Sequence, residues 1–276
     1  MTTKPRFALP ALNALLGSAM IGTLVLAALA GLLWTPFDPL AIDILGKLQA
    51  PGAQHWLGTD EFGRDVMSRL MNAAFTTLSI AVLTVLAATL TGVCLGILSG
   101  YLGGVVDRAV MMITNTLLAF PGILLALGLL SVLGNSRYGI VLALGLAYCP
   151  SVVRIVRSTV RSLRESDYVE ASRVMGHSEG FILLRHILPN CLAPLIVLAT
   201  SMLGWVIISE SALSFLGLGV PPPEPTWGNM LAASRDNLSD AAWLAIFPGL
   251  CISFALLGVN LLGDALRDLL DPRMQR

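Results

Sequence analysis

Side chains that could support covalent chemistry are few and scattered along this chain. The three histidines are far apart and form no HExxH motif, and no GxSxG nucleophile motif occurs. Neither lysine fits a phosphate-binding P-loop: Lys47 has Ala41 where the first glycine belongs and Leu48 where the hydroxyl belongs, and Lys4 follows no glycine. The sequence therefore predicts a protein that is not an enzyme, does not hydrolyse ATP and has no catalytic residue, metal site or cofactor of its own.

Cysteines and buried acids, the other candidates for chemistry, are equally sparse. The cysteines form no CxxC pair and have no zinc-type spacing to histidine, so we interpret them as small apolar residues between helices. Glu210 is the only acidic residue inside a predicted span, near its outer end, and we interpret it as hydrogen-bonded structure. Two rival classes, an ion-coupled secondary carrier and a membrane-embedded enzyme, would need buried charged or nucleophilic groups that do not stand out.

The composition indicates that lipid is part of this protein's solvent. Of the 276 residues, 55% are hydrophobic and 12% are charged, and the apolar residues come in long blocks. A soluble domain of this size has too little interior to bury so many apolar side chains. The formal net charge is zero, so nothing in the total charge favours a nucleic-acid partner.

Charge-free stretches locate the membrane spans, because about 20 apolar residues cross a bilayer as helix. The first span is too long for the apolar core of a signal peptide, so we expect it to remain uncleaved. Pro121-Gly122 predicts a kink in the third span. We predict an all-α membrane protein with a short N-terminus at 1–10, spans at 11–33, 75–99, 109–136, 138–157, 190–210 and 241–263, an outer segment at 34–74, a core at 75–265 and a C-terminus at 266–276.

The distribution of basic residues predicts the orientation. With the N-terminus in the cytoplasm, twelve basic residues lie in cytoplasmic segments and five in outer segments, which is the positive-inside bias. Six spans then place both termini in the cytoplasm. The cytoplasmic residues are Lys4, Arg6, Arg108, Arg154, Arg157, Arg161, Arg164, Arg173, Arg185, Arg267, Arg273 and Arg276, and the outer ones are Lys47, Arg64, Arg69, Arg137 and Arg235.

The long cytoplasmic loop, 158–189, predicts a short helix, a turn and a second helix. Ser166-Asp167 forms a helix N-cap signal, and Glu170 in the first turn suits the helix dipole. Gly176 is expected to end this helix, and an apolar stretch follows as far as Pro189. From the pattern alone, an amphipathic helix lying on anionic lipid is an equally good interpretation.

The residues of this loop resemble a known motif. Glu170-Ala171-Ser172, Gly176 and His186-Ile187-Leu188-Pro189 have the spacing of the EAA loop of bacterial ABC importer permeases. Ser172 replaces the second alanine of that motif with another small residue. The resemblance implies a coupling helix that docks on an ATPase subunit, with contacts from Tyr168, Glu170, Ala171, Ser172, Gly176, His186, Leu188 and Pro189.

The resemblance extends over most of the chain. The segments 53–70, 213–219, 225–228 and 263–272 resemble, in order, those of the "C" permease of the dipeptide/oligopeptide/nickel branch. This implies the type I importer permease fold in the bacterial inner membrane. It also implies a second permease chain, one or two P-loop ATPases that bind ATP and Mg²⁺, and an extracytoplasmic binding protein. Short peptides are the expected solute, and nickel or another metal chelate is the alternative.

Outer-side motifs have a structural and a functional interpretation each. Asp60, Arg64, Asp65 and Arg69 are expected to form an ion-pair and capping cluster before the second span, or to contact the binding protein. The segment 217–240 contains three consecutive prolines and predicts an outer gate or docking surface, with Pro222 and Trp227 as contacts, or plain interfacial anchoring.

Two helix faces complete the set of motifs. Gly92, Gly96 and Gly100 share one face of the second span, which predicts close approach of another helix. Charged residues from Asp264 to Asp271 continue the last span into the cytoplasm at helical spacing. They form either an exposed charged end or a further contact with the ATPase.

Overall fold

The computed structural model describes residues 8–270, with side chains from residue 12 onward. Within this range the backbone is helical apart from loops, short 3₁₀ turns and an isolated β-bridge between Thr59 and Asp65. The predicted charges at Lys4, Arg6, Asp271, Arg273 and Arg276 lie outside the described residues. The α-helices are α1 (Ala8–Leu33), α2 (Val66–Leu102), α3 (Gly104–Leu118), α4 (Gly122–Leu133), α5 (Arg137–Arg164), α6 (Asp167–Val174), α7 (Glu179–Ile182), α8 (Leu188–Phe215), α9 (Trp227–Ala233) and α10 (Trp243–Leu270).

Five stretches of helix are long and apolar enough to cross a membrane, and α3 with α4 makes a sixth if the bent pair is one span. This confirms the predicted all-α membrane class. The helices exceed their predicted bounds at several ends, and α2 begins at Val66 instead of near 75. Thr76 and Thr77, near the predicted start of this span, are buried inside the bundle, so their hydroxyls do not end the helix.

The predicted break at Pro121-Gly122 is confirmed and is sharper than a kink. The axes of α3 and α4 differ by 97° across a break of a few residues. Pro121 occupies the N-cap position of α4, where its missing N–H costs no helical hydrogen bond. The bent pair therefore consists of two short helices, neither of which spans a bilayer alone.

The predicted glycine face of α2 packs directly on α5. A Cβ at Gly92 would lie 2.5 Å from Cβ of Val152, and one at Gly96 would lie 2.7 Å from Cβ of Val156. At Gly100 the corresponding atom would lie 2.9 Å from Cβ of Val160. Each glycine therefore faces one valine of a row spaced four residues apart on α5, which confirms the predicted close approach of the two helices. The three valines are Val152, Val156 and Val160.

The first helix packs against both α10 and α2 through further glycines. A Cβ at Gly17 would lie 2.7 Å from the Leu262 nitrogen, and one at Gly31 would lie 2.6 Å from the Met71 carbonyl carbon. Such distances leave no room for a side chain. Backbone contact therefore fixes α1 at one side of the bundle.

The segment between α1 and α2 is an ordered cap with little regular structure. Thr59 is fully buried. Its hydroxyl donates to the Gly46 carbonyl at 2.6 Å and accepts from the Gln49 amide at 2.8 Å. The Trp243 indole N–H donates to the Thr59 carbonyl at 3.3 Å, which ties the cap to the start of α10. The cap therefore connects the last turn of α1 with the first turns of α2 and α10. These turns lie on one side of the bundle, called here the outer end.

Candidate functional site

The short helix α6 lies in the loop at the opposite end of the bundle. Asp167 and Glu170 occupy its first turn, where a negative charge interacts favourably with the helix dipole. Gly176 follows the helix with φ of +84°, a conformation that glycine adopts without steric cost, so the predicted stop is confirmed. Ser166 occupies the N-cap position, but its hydroxyl donates to the Leu163 carbonyl at 2.5 Å and caps no amide.

The second half of the loop differs from the prediction. Ser178 accepts a hydrogen bond from the Phe181 amide at 3.3 Å and starts α7, which continues through a π-helical turn at 183–187 directly into α8. The apolar stretch therefore does not end at Pro189, which lies in the first turn of α8. The Leu188 amide donates to the Leu183 carbonyl, so the π-helical turn leads into α8 without a break.

Aromatic rings and a hydroxyl join the two halves of the loop. The Ser172 hydroxyl lies 3.1 Å from Nδ1 of His177, and the His177 ring stacks on Phe181 with centroids 4.5 Å apart. His186 meets the edges of Phe181 at 5.7 Å and Tyr168 at 6.0 Å. The structure thus brings together three residues of the predicted coupling set, Tyr168, Ser172 and His186.

Polar contacts connect the loop to the long helices. The Arg173 guanidinium lies 3.2 Å from the Glu179 carboxylate, which also accepts a hydrogen bond from the Tyr101 hydroxyl. The neighbouring Tyr101 hydroxyl and Glu179 carboxylate, in that order, raise the pKa of Arg173. Arg164 at the end of α5 donates to the Tyr101 carbonyl at 2.7 Å. The loop is therefore linked to Tyr101 at the end of α2, and Tyr101 is in turn bound by the end of α5.

The outward face of α6 is apolar and exposed. Val174 is 84% exposed and Met175 is 69% exposed, whereas Val169 on the opposite face is fully buried. Of the other predicted coupling residues, Leu188 is half-buried, and the exposed ones are Glu170, Ala171, Gly176 and Pro189. An amphipathic helix held by its inner face leaves the outer face available for a partner.

Sequence reasoning missed several polar partners at this end of the bundle. Tyr101 and Glu179 are 78 residues apart, and the ion pair of Asp107 with Arg157 joins residues 50 apart. No spacing rule relates such distant positions. A weak signal is available for Arg157, because it shares one face of α5 with Arg161 and Arg164 at helical spacing.

At the outer end, the predicted charge cluster forms. Asp60 pairs with Arg64 at 2.7 Å and with Arg69 at 3.4 Å. Asp65 caps α2 by accepting from the Ser68 amide at 2.8 Å, and it also lies 2.9 Å from His55. Asp60, Asp65 and Arg69 are buried, so their contacts are internal to this chain. Their predicted contact with a binding protein remains a prediction.

The proline-rich outer segment leads into α9, which is tied to the bundle. Trp227 is 1% exposed, so it is a core residue and does not anchor at the membrane interface. Its backbone N–H donates to the Thr77 hydroxyl at 3.1 Å, and its indole N–H donates to the Leu70 carbonyl at 3.3 Å. Pro222 is exposed. A gate or docking role for these two residues remains a prediction.

Glu210 lies beneath α9 and is 1% exposed. Its Oε1 accepts hydrogen bonds from the Ser214 hydroxyl at 2.8 Å and the Thr226 hydroxyl at 2.9 Å. Thr226 also forms a capping box with Asn229 at the start of α9. Glu210 therefore links α8 to the first turn of α9, in agreement with a hydrogen-bonded structural role.

The helices long enough to span a membrane thus lie between an exposed amphipathic loop at one end and an ordered cap at the other. The fold is shared with a chain of the MetNI methionine ABC transporter in inward-facing conformations: the TM-score is 0.60 at 18% sequence identity, covering 74% of this chain and 97% of that one. This likeness confirms the expected importer permease fold.

Residues 92–276 match the model of the family described as binding-protein-dependent transport system inner membrane component, and the chain belongs to this family. It is 40% identical to the dipeptide transport system permease protein DppC of Alkalihalophilus pseudofirmus, over 95% of this chain and 86% of that protein. It is also 40% identical to the glutathione transport system permease protein GsiD of Pectobacterium atrosepticum, over 82% of this chain and 75% of that protein. Family membership confirms the predicted resemblance to binding-protein-dependent permeases.

Proposed function

We propose that this chain is the permease subunit of an ATP-driven importer and forms part of the pathway for short peptides. The observation that carries the proposal is the loop around α6, whose apolar face is exposed while its inner face is fixed to the long helices. The names of the two relatives, a dipeptide and a glutathione permease, support short peptides as the solute. They do not favour nickel, the alternative that the sequence left open.

In this proposal the coupling loop docks on a P-loop ATPase that binds ATP and Mg²⁺. Val174 and Met175 supply apolar contact, and the exposed Glu170 supplies a charge. Movement of α6 is transmitted to α2 through the hydrogen bonds that join Arg173, Glu179 and Tyr101. A second homologous permease chain would complete the pathway, and closure of two ATPases would bring the two coupling loops together.

The outer end would receive a binding protein that delivers the peptide. Its cap at 34–65 and the segment 217–240 are the surfaces available for this contact. We place this end outside the inner membrane and both termini in the cytoplasm, because the basic residues concentrate at the loop end. No residue of this chain takes part in covalent chemistry in this proposal.

Purification of the tagged chain from its own membrane in mild detergent tests the assembly. Mass spectrometry is expected to identify a second permease chain and one or two P-loop ATPases. The recovered complex is then placed in proteoliposomes with its binding protein, and uptake of a labelled dipeptide is measured with and without ATP. Uptake that proceeds without ATP, from a chain that purifies alone, would overturn the proposal.

A further inference from the structure

A polar cavity of about 510 Å³ lies beside the coupling loop. The corner between α2 and α3 forms one wall, with Gly103 and Gly104 at its surface, and the last turns of α5 form the second. Glu170 and Arg173 of α6 form the third wall. The cavity therefore lies between the loop and the ends of the long helices, and the roles proposed above for Glu170 and Arg173 require no ligand in it.

Arginines dominate the cavity wall. Arg157, Arg161 and Arg164 follow one another at helical spacing on α5, so one face of this helix carries all three into the cavity. Arg173 faces them from α6. Four arginines stand against three carboxylates in the lining, which leaves a formal excess of one positive charge. The carboxylates are Asp107, Glu165 and Glu170.

Most of these charges already have partners within the chain. Arg157 forms a two-pronged ion pair with Asp107, with Nε–Oδ1 and Nη2–Oδ2 distances of 2.5 Å and 2.7 Å. Arg164 donates to a carbonyl and Arg173 pairs with Glu179. Arg161 makes no ion pair or side-chain hydrogen bond with any residue in the described range, 8–270. Its donors remain available to a ligand, as do the terminal nitrogens of Arg173, which faces Glu179 through Nε.

The start of a helix lies at the same cavity. The helix α3, of 15 residues, begins at Gly104 after an N-cap glycine that supplies no side-chain acceptor to its first amides. Gly103 and Gly104 line the cavity without a Cβ, and the Gly103 amide already donates to the Ser99 carbonyl at 3.1 Å. The first N–H groups of a helix bind anions and add to the attraction of the arginines.

From this arrangement we propose that the cavity binds a phosphate group, either free in solution or carried by the headgroup of an anionic lipid. The guanidinium groups of Arg161 and Arg173 would donate hydrogen bonds to the phosphate oxygens from two walls of the cavity. The fork of N–H donors on each guanidinium matches the geometry of a tetrahedral oxyanion. A phosphate held in this way connects α5 to α6 and orders the coupling loop. This binding would be separate from transport of the solute, because the cavity would bind the anion whichever solute crosses the membrane.

Hydrogen exchange measured by mass spectrometry tests the site on the full chain with the subunits that co-purify, in nanodiscs. One arm compares inorganic phosphate with chloride at equal ionic strength in neutral phosphatidylcholine nanodiscs. The other arm compares phosphatidylcholine with a mixture containing phosphatidylglycerol. The ligand is expected to slow exchange several-fold in the first turn of α3 and across α6.

Substitution of Arg161 separates this site from general effects of anions. In Arg161→Gln the slowing of hydrogen exchange by the ligand should disappear, and in Arg161→Lys it should persist in part. In the control Arg108→Gln the slowing should be unchanged. Arg108 is exposed at the same end of α3 but does not line the cavity. Slowing in the phosphate arm identifies free phosphate as a ligand, and slowing only with phosphatidylglycerol identifies lipid. No slowing in either arm, or slowing that survives in Arg161→Gln, overturns the proposal.

Discussion

The guanidinium of Arg69 lies 3.4 Å from the carboxylate of Asp60, and both side chains are buried at the start of α2. The same carboxylate oxygen also pairs with Arg64 at 2.7 Å. One aspartate thus balances two cations in the cap at the outer end. A buried ion pair contributes little net stability, but removing one partner leaves an uncompensated charge.

We predict that Asp60→Asn destabilises the protein strongly, by on the order of 3 kcal/mol, because Arg69 then remains buried without its counter-charge. The measurement is the thermal unfolding midpoint of the purified protein in detergent. Glu61→Gln is the matched control, since its carboxylate lies 3.8 Å from Arg64 and is more exposed. Equal midpoints for the two variants would contradict this account of the cap.

The contact of α2 with α5 gives a second prediction. Gly96→Ala would place a Cβ 2.7 Å from Cβ of Val156, so we expect a cost of about 1–3 kcal/mol from overpacking. The unfolding midpoint should fall in Gly96→Ala relative to the parent protein. Gly128→Ala, where no atom lies within 4 Å of the new Cβ, is the control. Equal midpoints for Gly96→Ala and Gly128→Ala would argue against direct packing at this position.

The coupling loop gives a third prediction. Glu170→Lys reverses an exposed charge on α6 and should abolish ATP-dependent uptake, while the chain still inserts into the membrane. The reason is that docking on the ATPase would meet a charge of the wrong sign. Uptake and recovery of the ATPase by affinity purification are measured together. Asp38→Lys, an equal charge reversal at an exposed residue of the outer end, should retain both. Normal uptake in Glu170→Lys would contradict the docking role.

Much of the fold was predictable because local patterns determine it. The glycine spacing on α2 predicts a face that packs closely, and Pro121 predicts the break between α3 and α4. Gly176 predicts the end of α6, because its φ of +84° suits glycine. In each case the residue acts through its own backbone or its own helix face, so no knowledge of distant partners is needed.

Other features depend on tertiary contacts that no local pattern contains. Thr77 is a polar residue near the predicted start of a span, but it is buried and its hydroxyl accepts a hydrogen bond from the Trp227 amide of α9. Trp227 resembles an interfacial anchor by composition, and it is buried because α9 folds back on α2. The link from Glu179 to Tyr101 likewise joins two segments that only the folded bundle brings together. These are the positions at which the sequence analysis failed.

Glu210 gives the last prediction, because it separates a structural acid from a proton carrier. Its Oε1 accepts from the Ser214 and Thr226 hydroxyls, and Oε2 lies buried without a hydrogen-bond partner among the described residues. A glutamine keeps an acceptor for both hydroxyls, so we expect Glu210→Gln to retain ATP-dependent uptake.

Glu210→Ala removes the acceptor and leaves buried hydroxyls unpaired, at a cost of about 1–3 kcal/mol. We therefore expect this variant to unfold at a lower temperature, and the contact of α9 with α8 to loosen. The pair of variants is compared by peptide uptake in proteoliposomes and by unfolding midpoint. A Glu210→Gln protein that remains as stable as the parent but loses uptake would show that an ionisable carboxyl is needed, because the amide keeps the size and one acceptor oxygen but cannot titrate. Retained uptake in Glu210→Gln, with lost stability in Glu210→Ala, would show that the carboxyl serves to hold α9 in place.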